Sequence, residues 1–119
     1  MAEEIKLGRF EFCLDVKDVR KSLGFYLKLG FKQTGGNLDE GWAIIKHGDC
    51  TLGLYQGHIG NNVLNFRGGD VFEIVNCLKE KGLTFEKDAH IESDKSAGAV
   101  IHDPDGNVIY FNTAPGEEI

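Results

Sequence analysis

The sequence is poor in the features that would tie it to nucleic acid, a bilayer or an oxidising compartment. No run of Lys and Arg is longer than two, and the formal net charge is −6. Nucleic acid and anionic membrane both demand a positive face, so neither is expected as a partner. No apolar stretch approaches the roughly 20 residues that span a bilayer. The opening MAEEIKLGR has neither the basic nor the apolar region of a secretory signal. The three cysteines, Cys13, Cys50 and Cys77, are odd in number and lack paired spacing, so neither a disulfide framework nor a zinc knuckle is expected. They read as small buried hydrophobes in a reducing cytoplasm, which is the expected compartment. What remains is 119 residues, 41% hydrophobic and 27% charged, the size and balance of one soluble domain with its own core.

The chain then reads as one unit written twice. Sliding Glu11 onto Val63 places Asp18 on Asp70 and Gly30 on Gly82, each at a helix boundary. Asp18 and Asp70 suit N-caps, Glu73 is placed for a capping box, and Gly30 and Gly82 suit the left-handed residue that ends a helix. Val71, Ile74, Val75 and Leu78 recur at the spacing of a helix with one buried face, as do Val19, Leu23 and Tyr26. Strands are expected after the first helix at Phe31 to Thr34, Trp42 to His47 and Cys50 to Gln56. After the second helix they are expected at Thr84 to Lys87, Ala99 to Asp103 and Val108 to Asn112. HGD at His47 and DPDG at Asp103 are hairpin turns by composition, and QGHIGNN at Gln56 is the linker between the copies. The polar stretches Gln33 to Gly41 and Glu86 to Gly98 are expected to be mobile loops, and APGEEI a short solvated tail. The fold class is α+β, with β-α-β-β-β occurring twice.

Strand alternation sorts the side chains. Phe10, Phe12 and Leu14 share a face, as do Leu64 and Phe66, Leu52 and Leu54, and Ile109 and Phe111; these should cover the helices. Away from the helices lie Arg9, Glu11, Cys13 and Asp15, then Thr51, Gly53 and Tyr55. Val63, Asn65 and Arg67 join them, with Val108, Tyr110 and Asn112. Two readings stand beside each other: a sheet with its second face open to water, or a hollow around a ligand.

LDVKDVRKSLGFYLKLGF and the closing HDPDGNVIYF, with the linker-separated second copy, resemble the glyoxalase/bleomycin-resistance/dioxygenase family, also called the vicinal oxygen chelate superfamily. The resemblance runs from about Gly8 to Asn112. It implies a single glyoxalase-like domain over residues 1–119, with module 1 at about 8–57 and module 2 at about 62–113. Two such tandem modules form an eight-stranded open cup in that family. Many members hold one divalent metal there through His, Glu or Gln on the first and last strand of each module. Carried onto this chain, those positions are Glu11, Gly53, Val63 and Tyr110. Only Glu11 keeps a usual donor, so no divalent metal and no other cofactor is expected. His47 and His102 lie beside turns and His58 in the linker, away from mid-strand, while His90 falls in a polar stretch.

The resemblance implies a protein that binds or sequesters a small organic molecule without a metal, as its bleomycin-resistance branch does. Candidate ligand-binding residues are Glu11, Cys13, Trp42 and Tyr55 in the first copy. In the second they are Asn65, Arg67, Tyr110 and Asn112. Tyr55, Tyr110 and Trp42 can stack on a planar ligand. Arg67 is placed to pair with Glu11 or with Asp15, its equivalent in the first copy. The alternative is a lyase, isomerase or dioxygenase of the same family, with Glu11 as general base or residual metal ligand. Relatives often pair, so a homodimer is expected.

Overall fold

The computed structural model describes residues 5–117. They form two compact units: one is Glu11–Val63, and the other joins Phe10 and the residues before it to Leu64 and those after. The first holds most of β1 (Gly8–Val16), then α1 (Val19–Leu29), β2 (Lys32–Asn37), a 3-10 turn (Leu38–Glu40), β3 (Trp42–His47) and β4 (Cys50–Gln56). Its strand order is β2-β3-β4-β1, with β1 parallel to β4 and the other neighbours antiparallel. The second holds β5 (Val63–Gly68), α2 (Val71–Glu80), β6 (Lys87–Ile91), β7 (Ala97–His102) and β8 (Val108–Thr113). There the order is β5-β8-β7-β6. The β-α-β-β-β plan is present twice.

Both helices begin as the sequence requires and α1 ends so, whereas α2 is capped by Lys81 at φ −86°, with the left-handed Gly82 one residue beyond. The Asp18 carboxylate accepts from the Lys21 amide at 3.1 Å, and that of Asp70 from the Glu73 amide at 3.1 Å. Each thereby satisfies an amide of the first turn that has no partner inside the helix. Gly30 closes α1 with φ 105°, a left-handed conformation that costs a side-chain-bearing residue about 1 kcal/mol or more. In the first unit, Val19 and Leu23 of α1 pack on Ala43, Ile45 and Leu54. In the second, Val71, Ile74 and Val75 of α2 pack on Ala99, Ile101 and Phe111. Leu52, Phe66 and Ile109 join these cores on the helix side, as alternation requires. Phe10 departs from this: it is 48% exposed, its ring centred 5.3 Å from that of Phe66.

The two polar stretches depart from expectation. Gln33 to Asn37 continues β2, and the 3-10 turn follows, capped by the Asn37 side chain. Thr84 and Phe85 lie outside any strand; the strand of this region is β6, inside the stretch expected to be a loop. Both β2 and β6 end their sheet order, and both shift register, between Gln33 and Gly35 and between Lys87 and His90. An edge strand is held by backbone pairing, and a bulge resets its side-chain phase, so no apolar alternation marks it. Of the cysteines, only Cys13 is buried; Cys77 is half-buried and Cys50 exposed at the start of β4. In the DPDG turn, the Asp103 carboxylate accepts from the Asn107 side chain at 2.7 Å and from the amides of Asn107 and Asp105. Those bonds, that of the Asn107 side chain foremost, hold its acid below the usual carboxylate range.

Candidate functional site

On the first unit, register puts Cys13 of β1 opposite Gly53 of β4, and Tyr55 of β4 opposite Trp42 of β3. These residues and Glu11 share the face turned from α1. That face is not an open solvated surface at Glu11, which is only 5% exposed. The Cys13 thiol lies 3.5 Å from Glu11 Oε2 as a donor. Gly53 explains how the carboxylate and an aromatic ring fit side by side. A Cβ at that position would stand 3.2 Å from Glu11 Oε2 and 2.6 Å from Tyr55 Cε2. The space a side chain would occupy is thus filled by Glu11 and by the Tyr55 ring. Tyr55 in turn lies parallel to Trp42, with an interplanar angle of 2° and centroids 6.2 Å apart. His58 meets Tyr55 edge-on, and its Nε2 is 2.7 Å from the Glu40 carbonyl.

On the second unit, Asn65 is likewise 5% exposed, and Asn112 Nδ2 donates to its Oδ1. A buried amide needs such a partner to offset its desolvation. Arg67 and Arg9 converge on one carboxylate, that of Glu117, at 3.3 and 2.7 Å. The segment expected to be a solvated tail is therefore tied down through Glu117; its last two residues lie outside the described ones. Tyr110 reaches across the sheet to Gly98, where a Cβ would stand 2.8 Å from the phenol oxygen. Burial raises the pKa of this phenol, and the charges of Glu92 and Asp94 push it the same way.

His90, which the sequence places in a loop, stands on β6 directly opposite Gly98. Its Nδ1 lies 2.9 Å from the Asp88 carbonyl and its Nε2 2.6 Å from Glu92 Oε1. Those two acceptors, the carbonyl first, hold its pKa above the usual histidine value. The bulge just before it breaks the alternation that would have marked it as part of this face. His102 pairs with Glu86 at 2.8 Å.

The donor set does not fit a divalent metal of the kind the resemblance implies. Glu11 is the single usual ligand among the four positions, and Glu11 with Tyr55 occupies the room a side chain at position 53 would need. Among the described residues, no group of three or more His, Cys, Asp or Glu side chains is arranged to hold a metal ion.

No family model matches the chain, and no curated protein matches it. Solved structures do. A glyoxalase/bleomycin resistance protein/dioxygenase superfamily member from Vibrio splendidus 12B01 superposes with a TM-score of 0.70 at 17% identity, over 88% of this chain and 97% of that one. A structure described as the NAD-dependent benzaldehyde dehydrogenase from Legionella pneumophila gives 0.73 at 18% identity, over 88% and 98%. A hypothetical protein from Bacillus halodurans C-125 gives 0.61 at 17%, over 91% and 93%. Their descriptions differ while their architecture is shared, and at such identities the likeness carries the fold alone. The chain has the α+β fold of the glyoxalase/bleomycin-resistance/dioxygenase superfamily, built from two tandem β-α-β-β-β modules.

Proposed function

We propose that the chain binds a small, flat organic molecule against the Trp42–Tyr55 face of its first unit and sequesters it without a divalent metal. The observation that carries this reading is the Tyr55 ring held over Gly53, between Trp42 and the buried Glu11. An aromatic slab beside a shielded carboxylate offers a planar ligand stacking area and one directional polar contact. The bleomycin-resistance branch of the superfamily supplies the precedent for binding without chemistry. Cys13 lines the same face. Asn65 and Asn112 engage each other on the second unit, and Tyr110 is the further aromatic surface there.

Trp42 is the chain's single tryptophan, so its emission reports directly on this face. Bleomycin and a set of flat heteroaromatic amides are the probes. Saturable quenching that weakens about tenfold in Tyr55→Ala supports the reading, a loss of about 1.4 kcal/mol. Absence of quenching by every probe, in protein that still unfolds cooperatively, rejects it. Consumption of a probe that ceases in Glu11→Gln shifts the assignment to catalysis with Glu11 as base. After chelator treatment, calorimetry with zinc, nickel and manganese is expected to show no tight stoichiometric binding; one tight equivalent overturns the metal-free part. The same reading takes the protein to be a cytoplasmic homodimer, and sedimentation as a single 13.1 kDa species at micromolar concentration refutes the dimer.

A further inference from the structure

We infer that Arg9 and Arg67 form a carboxylate-binding site on the second unit, which the chain's own Glu117 occupies and an acidic ligand displaces it from. Three donors point at the Glu117 carboxylate. Its Oε2 takes Arg9 Nη2 at 2.7 Å and Arg67 Nη2 at 3.3 Å, while its Oε1 accepts from the Ala114 amide at 3.0 Å. Two guanidiniums on one oxygen and a backbone amide on the other is a donor set matched to a planar, two-oxygen anion. The Glu117 side chain is only 16% exposed, although it follows the turn at Pro115 and Gly116. Among the described residues of the segment, the Glu117 amide also returns to the Ala114 carbonyl at 2.9 Å, closing one turn.

A residue held by one turn and by its own carboxylate's contacts with Arg9, Arg67 and the Ala114 amide can lift without disturbing the α2 core. The cluster Val71, Ile74, Val75, Ala99, Ile101 and Phe111 takes no described residue from beyond β8. When Glu117 lifts, the guanidinium of Arg9, whose side chain is already 58% exposed, and the Ala114 amide become available to a carboxylate from outside. The tethered carboxylate acts as an intramolecular competitor, at an effective concentration on the order of millimolar. The site therefore binds free carboxylates weakly until Glu117 is removed or outcompeted. This inference stands on the second unit and does not depend on the planar ligand proposed for the first.

The test is a titration of the nitrogen-15-labelled chain with sodium acetate, ionic strength being held constant with sodium chloride and the Ala114 amide resonance followed. Glu117→Gln is expected to bind acetate at least tenfold more tightly than the unaltered chain. Adding Arg9→Ala to Glu117→Gln should bring the affinity back to that of the unaltered chain or lower. Arg9 is largely exposed, so this second change should leave the cooperative thermal transition in place. Equal acetate affinity with and without the Glu117 carboxylate overturns the inference. So does a gain that survives loss of the Arg9 guanidinium, or an Ala114 shift that chloride alone reproduces. Each readout is local to Ala114 and independent of Trp42 emission, so failure here is distinguishable from failure of the proposed function.

Discussion

Gly53→Ala puts the packing of the candidate face to a direct test. A methyl group there would stand 2.6 Å from Tyr55 Cε2 and 3.2 Å from Glu11 Oε2. Carbon atoms in contact settle near 3.5–4.0 Å, so the ring must retreat by about 1 Å. Overpacking of this kind typically costs about 1–3 kcal/mol. Gly53 has no left-handed backbone to lose, so alanine also restricts the unfolded chain, which offsets about 0.4–1 kcal/mol. The net expectation is a loss of about 1–2 kcal/mol. For a chain of this size that corresponds to roughly 4–10 °C in the thermal midpoint. Tyr55 is stacked on Trp42, so the same displacement should alter the tryptophan emission and the near-ultraviolet dichroism. Urea unfolding and the two spectra measure both effects on one sample. An unchanged midpoint with unchanged spectra would show that Tyr55 does not lie over Gly53, and the proposed stacking surface would go with it.

Other perturbations probe the scaffold. Leu54→Ala, at a position with no exposed surface, should destabilise by about 2–5 kcal/mol in urea unfolding, whereas Leu29→Ala, more than half exposed, should change stability by about 0.5 kcal/mol or less. Asp70→Ala removes the acceptor for the Glu73 amide and should cost about 1 kcal/mol, with Asp70→Asn largely restoring it. The His90 ring should titrate above its ordinary value of 6.5, and Glu92→Gln should lower its midpoint. A histidine pKa raised by folding stabilises most below the unfolded value and loses that contribution as pH rises through the folded one. Proton resonances of the ring follow this, and a midpoint at or below 6.5 contradicts the contact with Glu92.

Local chemistry made much of the architecture readable. Asp18, Asp70 and Gly30 act within one helical turn of themselves, so their side chains or lack of one announce the helix ends wherever the chain goes. Asp103 folds its own turn in the same way. The i, i+3, i+4 spacing of Val71, Ile74 and Val75 and the alternation of Leu52 with Leu54 name the core because burial follows the period of the element. Strand limits were readable at β3 and β4, where alternation is regular. At β2 and β6 they were not, because KQTGGN and KDAHI are edge strands with a shift of register and little apolar signal. His90 was missed for that reason.

By itself, then, the sequence determined a duplicated α+β module and which face of each regular strand is polar. These depend on residue type and short-range period. Only the tertiary structure decided that Tyr55 fills the space over Gly53, that Asn65 answers Asn112, and that Glu117 crosses to Arg9 and Arg67. Such contacts join residues separated by up to 108 positions, or depend on which way one ring turns. No periodicity encodes either; they are set by which side chains the completed sheets bring within reach.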